Sequence, residues 1–290
     1  MAKTPKNLAE SIRQRLLNLS REQGRVFEVT LVTYGLERLI YRLSISDHRN
    51  EFVLKGGMLV TLWTDDQNRV TRDADFLAHG ESSEEHLKAV FTDILNTTAD
   101  DGLIYDTDAL TIQPIREEQQ YGGVRLKTTA HLGKTRIPIT VDIGFGDAVA
   151  DPAYTIDYPS LLDMPTANIR AYPPATVIAE KFHAIVTLGM ANSRMKDYYD
   201  LWAIPNALVI DPSELDAAIG TTFERRRTAI PSTQPVGLSS DFIADAQKSQ
   251  QWTAYAASID LEGLSLETVV QHIWELVEPA CQRLTDSEDE

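Results

Sequence analysis

Arg69-Val70-Thr71-Arg72-Asp73-Ala74-Asp75-Phe76 sets two aspartates one residue apart. Upstream runs Phe52-Val53-Leu54-Lys55-Gly56-Gly57-Met58-Leu59, a short strand, a glycine turn and the start of a helix. Side chains of an extended strand alternate between faces, so a strand over Thr71 to Leu77 puts Asp73 and Asp75 on one face and turns Ala74 and Phe76 into the core. Two carboxylates held side by side repel each other. A divalent cation between them removes that cost, and magnesium favours one or two carboxylates plus substrate phosphates. The pattern points to phosphoryl or nucleotidyl transfer.

A third carboxylate comes from Ile137-Pro138-Ile139-Thr140-Val141-Asp142-Ile143. Ile137, Ile139, Val141 and Ile143 share one apolar face and Asp142 lies on the other. Asp142 is either a solvated strand residue or the ligand that completes a two-ion site, in which one ion activates a hydroxyl and the other steadies leaving pyrophosphate. The paired aspartates upstream favour the second reading. Gly56-Gly57 at a helix start is either an ordinary tight turn or a place where backbone N–H groups meet a phosphate. It is not a P-loop, because the Gly-Lys-Ser/Thr ending is missing.

Around this centre, apolar spacings of three and four predict helices over 7–20 and roughly 22–45. Ser82-Ser83-Glu84-Glu85 caps a helix running to about Thr97. Strands are expected near Leu110 to Pro114 and Val124 to Leu132, and Gly133-Lys134-Thr135 reads as the turn that pairs the latter with Ile137 to Phe145. Residues 146–172 carry three prolines, Pro152, Pro159 and Pro165, with Pro173 close behind, and read as loop. Beyond them the pattern is almost wholly helical: about 174–190, 195–204, 212–227, 240–257 and 265–284. Residues 228–239 read as a linker and the acidic tail from Asp286 as disordered. The expected organisation is an α/β lobe over 1–150 and a helical lobe over 151–290.

The helical half holds two charges on apolar stripes. Lys181 lies four residues from both Val177 and Ile185, on the stripe with Ile178, Phe182 and Leu188. Lysine is seldom buried unpaired. Either a triphosphate is its partner, or its stem packs while its head reaches water. In Arg194-Met195-Lys196-Asp197-Tyr198-Tyr199-Asp200-Leu201-Trp202, Asp197 shares a face with Leu201 and Ile204. It either orients Lys181 or serves as a base, or else forms a structural ion pair with Arg194 or Lys181. Asp200 is open to the same roles, and Arg194 and Lys196 are candidates to line a phosphate path. Arg125, Lys127, Lys134, Arg136 and Arg225-Arg226-Arg227 could touch an RNA backbone, although each is more often a surface charge. His131 and His183 lack metal-ligand spacing. Trp202, Trp252 and Trp274 fit core positions. No Ser-His-Asp or Cys-His nucleophile is apparent.

The 290 residues carry a net charge of −16 and one cysteine, Cys281. The charge argues against a large basic nucleic-acid surface but not against a local groove, and it also suits a basic protein partner. A single cysteine excludes an internal disulfide and fits a reducing cytoplasm. No membrane span or signal sequence is expected.

In this order, Lys-Gly-Gly, Thr-Arg-Asp-Ala-Asp-Phe, Val-Asp-Ile, Ala-Glu-Lys-Phe-His-Ala and Arg-x-Lys-Asp-x-Tyr-Asp-Leu resemble the AbiEii/AbiGii nucleotidyltransferase-like toxins, which include the mycobacterial MenT toxins. The resemblance covers about residues 52–205. It implies an α+β fold with a polymerase-β-like nucleotidyltransferase lobe built on a mixed sheet, plus a helical C-terminal lobe. It implies a toxin of a toxin–antitoxin or phage-defence system that adds nucleotides, often pyrimidines, to the 3′ acceptor end of tRNA. Aminoacylation and translation are thereby blocked. Its implied partners are tRNA, a nucleoside triphosphate and a cognate antitoxin, with Mg²⁺ as cofactor. On the matched motifs, Asp73 and Asp75 hold metal with Asp142 as third ligand, Asp197 completes the catalytic set, and Lys55, Gly56, Gly57, Arg72 and Lys181 contact the nucleotide. One departure is Gly-Gly in place of the Gly-Ser usual in the wider superfamily, which leaves no serine hydroxyl at the turn. Thr71, on the side of Asp73, is a candidate phosphorylation site, since a phosphate there adds roughly two negative charges beside the metal. The rival readings are transfer to a small-molecule or protein hydroxyl, γ-phosphoryl transfer, and nucleotide binding without turnover.

Overall fold

The computed structural model describes residues 8–66, 68–115, 123–146 and 154–286. The described chain divides into two compact units. Of the described residues, the first holds 8–62, 70–115, 123–146 and 154–171, and the second holds 63–66, 68–69 and 172–286.

The first unit begins with α1 (Leu8–Glu22) and α2 (Phe27–Ser44). Strand β1 (Phe52–Lys55) leads through Gly56 into α3 (Gly57–Thr64). Strand β2 (Ala74–Ala78) and helix α4 (Glu84–Asn96) follow. The Ser83 hydroxyl accepts from the His86 N–H and so starts α4, as the Ser-Glu pattern predicts. Strands β3 (Leu103–Tyr105), β4 (Thr111–Ile115), β5 (Gly123–Leu132) and β6 (Thr135–Phe145) complete a six-stranded sheet.

The sheet is mixed, in the order β1-β2-β6-β5-β3, with β4 also on β5. Strand β2 runs parallel to β6, and the other pairs are antiparallel. Alternation of Ile137, Ile139, Val141 and Ile143 fixes the register of β6, because a slip of one residue would move all four from core to solvent. Helix α2 lies on that apolar face. A Cβ at Gly35 would meet Ile139 Cδ1 at 2.7 Å, so the helix packs close only because position 35 has no side chain. The polar residues of the strands are left on the opposite face.

Strands β7 (Thr155–Tyr158) and β8 (Ala167–Arg170) form a hairpin inside the stretch read as loop. Each has four residues, and Pro159 and Pro165 sit just outside them, so the proline signal masks strands too short to show alternation. Three-residue β3 escapes the sequence pattern for the same reason. Residues 147–153 of the expected loop, and the tail from Ser287, lie outside the described residues.

The second unit is helical: α5 (Pro174–Leu188), α6 (Met195–Ala207), α7 (Pro212–Arg225), α8 (Ser240–Ala244), α9 (Ala246–Ser258) and α10 (Leu266–Asp286). The single helix expected over 240–257 is two, because the Asp245 carboxylate accepts from the Gln247 and Lys248 N–H groups and caps a new start. The α+β class with a mixed sheet, expected from the sequence, is the class observed. Among the described residues no helix is long and apolar enough to cross a membrane.

Candidate active site

Parallel pairing of β2 with β6 sets Asp75 opposite Asp142, and antiparallel pairing sets Lys55 of β1 opposite Asp75. Strand β2 starts at Ala74, so Asp73 precedes the strand rather than lying within it. One carboxylate oxygen from each of Asp73, Asp75 and Asp142 nevertheless lies within 4.8 Å of the others, and all three residues are half-buried. Magnesium holds oxygens at about 2.0–2.1 Å in an octahedron, so oxygens this close fit the ligand shell of one ion with little adjustment. The donor set, all hard carboxylate oxygen, suits Mg²⁺.

Each aspartate has its own support. The Thr71 hydroxyl donates to Asp73 Oδ1 at 2.8 Å. The Gly57 N–H points to Asp75 Oδ2 at 3.4 Å. Gly56 has φ +70°, and a Cβ there would fall 2.1 Å from Asp75 Oδ2, so the turn must be glycine for Asp75 to stay in place. The turn therefore also backs the Asp75 carboxylate. Arg125 of β5 clamps Asp142 with two hydrogen bonds, 2.7 Å from Nε to Oδ1 and 2.6 Å from Nη2 to Oδ2.

Charge in this cluster is tightly coupled. Burial and the neighbouring Asp73 carboxylate push the Asp75 carboxyl up to about 6, against Lys55 and the Gly57 N–H, which pull it down. The Asp142 hydrogen bonds hold the Arg125 guanidinium above its usual range. Burial and a like charge both disfavour the ionised carboxylate, and a cation bound there would favour it again.

In the second unit Lys181 of α5 reaches Asp197 Oδ1 at 2.5 Å and Asp200 Oδ2 at 2.8 Å, both on α6. Asp200 is wholly buried and is also bound by Arg69, at 2.8 Å from Nε and 2.6 Å from Nη2. The segment carrying Arg69 is fixed to α6 a second time by a short hydrogen bond from the Tyr199 hydroxyl to Asp66. Burial alone would lower the lysine's affinity for its proton, but the Asp197 and Asp200 charges outweigh it and hold Lys181 protonated. Asp200 is pulled down to about 2, since Lys181 and Arg69 outweigh its burial. Two cations and two carboxylates thus form a neutral cluster, satisfied internally as buried charges must be.

The expected ion pair of Lys181 with Asp197 is therefore present. Sequence reasoning missed the part played by Arg69. The signal available was Asp200 itself, a charge on the apolar stripe of α6 that needed a buried cation. Arg194 and Arg72 are exposed, and Arg72 is among the residues lining a cavity of about 190 Å³. The His183 ring meets Thr228 at 2.9 Å and stacks edge-on to Phe223, a structural setting. Trp252 is buried.

The family model for the nucleotidyl transferase AbiEii toxin of type IV toxin–antitoxin systems matches residues 38–276. The chain belongs to the AbiEii nucleotidyltransferase toxin family. Among solved structures, this AbiEii chain is similar to MenT4, a nucleotidyltransferase toxin from Mycobacterium tuberculosis H37Rv, with a TM-score of 0.57 at 16% identity, over 93% of this chain and 89% of that one. At that identity the likeness is one of fold. JHP933 from Helicobacter pylori aligns with a TM-score of 0.45 at 14% identity, over 89% and 95% of the two chains. A putative nucleotidyltransferase from H. pylori aligns at 0.37 and 13%, over 87% and 95%. No curated protein matches the AbiEii chain at a significant level.

Proposed function

We propose that this AbiEii-family toxin is a Mg²⁺-dependent nucleotidyltransferase that adds nucleotides, pyrimidines by preference, to the 3′ acceptor end of tRNA in the cytoplasm, blocking aminoacylation and translation until a cognate antitoxin restrains it. The observation that carries the metal-dependent part is the gathering of Asp73, Asp75 and Asp142 within 4.8 Å of one another, Asp75 and Asp142 on paired strands and Asp73 just ahead of β2. The tRNA acceptor and the pyrimidine preference are supported by the motif resemblance described above.

Asp73, Asp75 and Asp142 would hold two ions. Bound Mg²⁺ supplies neutralisation of the triphosphate and activation of the acceptor hydroxyl. The acceptor oxygen bonds to the α-phosphorus, the α–β phosphoanhydride bond breaks, and pyrophosphate leaves with the electron pair. Asp197 completes the catalytic set by receiving the hydroxyl proton. Lys181, kept charged by Asp197 and Asp200, neutralises the phosphates, with Lys55 and Arg72 as further cations for the nucleotide. Thr71 and Gly57 keep Asp73 and Asp75 aimed. Catalysis on this scheme is positioning and charge stabilisation.

The test is incubation with each α-labelled triphosphate and bulk RNA, with Mg²⁺ or EDTA, followed by sizing of the labelled product. Label in the tRNA band, lost with EDTA and lost in Asp73→Ala, is expected. Label in a small molecule or protein selects a different acceptor. Full activity in Asp73→Ala contradicts the reading.

A further inference from the structure

One face of the sheet has a character that the whole chain lacks. Register places Arg125 opposite Asp142, Lys127 opposite Thr140, Thr129 opposite Pro138 and His131 opposite Arg136. Strand β4 extends the same face with Gln113 beside Arg125 and Thr111 beside Lys127. Lys127, Arg136, Thr111 and Gln113 are exposed. Among the described strand residues of this face, Asp75 and Asp142 are the only carboxylates, in a chain whose net charge is −16. From Arg125 to His131 the face runs for about 20 Å at 3.3 Å per residue, beginning at the aspartate cluster.

A cavity opens beside it. Strand β2 covers β6 only from Val141 onward, which leaves the edge of β6 at residues 138–140 without that neighbour. There, Pro138 and Thr140, with Glu28, Val29 and Val32 of α2 and with Arg72, line a volume of about 190 Å³. This is below the roughly 300–1,000 Å³ of pockets for drug-sized ligands and suits one planar ring. Two valines and a proline ring offer flat apolar contact. Arg72, Glu28 and Thr140 add polar groups to the lining. The cavity shares both chain segments of the aspartate cluster, since Arg72 precedes Asp73 and Thr140 lies two residues before Asp142.

We propose that this cavity and the open face of β5 and β6 together seat the end of a single-stranded polynucleotide, the terminal base in the cavity and the backbone along Lys127 and Arg136. The proposal deepens the nucleotidyltransferase reading and rests on it. Lys and Arg supply sequence-independent affinity for phosphates, and a base offers a flat face that an acidic peptide lacks. A single strand is required, because only an unstacked base can enter the cavity.

The test is fluorescence anisotropy with a 5′-labelled single-stranded RNA bearing a free 3′-hydroxyl, titrated from 50 to 300 mM KCl. A second RNA is identical but abasic at its 3′ residue. Wild type is compared with Lys127→Glu/Arg136→Glu, and the thermal shift given by Mg²⁺ with triphosphate is read on both proteins. The double variant is expected to bind at least tenfold more weakly, with a salt slope shallower by about 1.4, the value for two single-strand phosphate contacts. The abasic RNA is expected to bind wild type more weakly than the intact one, and the nucleotide-dependent thermal shift is expected to be unchanged by the double variant. Equal RNA binding by variant and wild type, equal binding of the abasic end, or a polyglutamate peptide competing as well as RNA overturns the proposal while the thermal shift persists. A wild type that shows no shift with Mg²⁺ and triphosphate overturns the underlying reading instead.

Discussion

Gly56 and Asp75 are packed so closely that a Cβ on the glycine would lie 2.1 Å from the carboxylate oxygen of the aspartate. Even the smallest side chain at position 56 must displace Asp75, and φ of +70° adds backbone strain. Gly56→Ala is therefore expected to cut nucleotide transfer on the order of 100-fold, the scale of an ångström's misplacement of a catalytic group. Gly80→Ala is the control: its φ is +110° but nothing lies within 4 Å of the added carbon. Steady-state rates should fall in the first variant and not in the second.

Carboxylate crowding makes a prediction about stability without metal. Asp73 and Asp75 repel each other, and Asp75 is also desolvated. Asp73→Asn should raise the melting temperature of the metal-free protein by a few degrees and remove the stabilisation that Mg²⁺ gives wild type. Calorimetric scans with and without Mg²⁺ check both signs. A variant that melts lower than wild type and still responds to Mg²⁺ contradicts this view of the cluster.

Thr71 acts on the same cluster through its hydrogen bond to the Asp73 carboxylate at 2.8 Å. Thr71→Val keeps the shape and removes the donor, worth about 1 kcal/mol net. Transfer should fall about fivefold, with a matching loss of Mg²⁺ affinity measured by titration calorimetry. Unchanged affinity would leave Thr71 with no part in holding Asp73.

Much of this cluster is legible before folding. The alternation in β6 announces its buried face and so the side on which Asp142 projects, and Gly133 announces the turn that makes β5 its partner. Other relationships have no local trace. The parallel contact of β2 with β6 joins segments more than 60 residues apart, and Arg69 meets Asp200 across 131 positions. Nothing in the sequence around Arg69 separates it from a solvated arginine, because its burial is decided by α6. Gly56-Gly57 reads as a phosphate turn or a plain turn, and nothing local shows that the Asp75 side chain packs against it.

Asp200 gives the pH dependence. Its folded-state value of about 2 lies below the ordinary carboxylate value near 3.8. A depressed carboxyl stabilises the fold at pH values above the ordinary one, and that contribution is lost as pH falls from about 4 through 2. The amount is on the order of 2 kcal/mol. Asp200→Asn should destabilise the protein by about 3 kcal/mol at pH 7, because the buried Arg69 and Lys181 both lose this carboxylate charge. The gap from wild type should narrow as pH drops below 4, as measured by urea unfolding at each pH. A gap independent of pH contradicts an ionised Asp200.

Lys181 and its two carboxylates separate binding from folding. Lys181→Met is expected to raise KM for the triphosphate at least tenfold if the ammonium meets the phosphates. Arg69→Met is expected instead to lower the unfolding midpoint by the equivalent of about 3 kcal/mol. Kinetics on the folded fraction of each variant distinguishes the two.

The central claim is that Asp73, Asp75 and Asp142 jointly hold divalent metal. Crystals soaked in Mn²⁺ with a non-hydrolysable triphosphate test it by anomalous scattering. The account predicts strong anomalous peaks within about 2.3 Å of carboxylate oxygens of all three residues, and none there in Asp73→Ala/Asp75→Ala. An absence of peaks among these residues in wild type, with the triphosphate bound elsewhere, would contradict it.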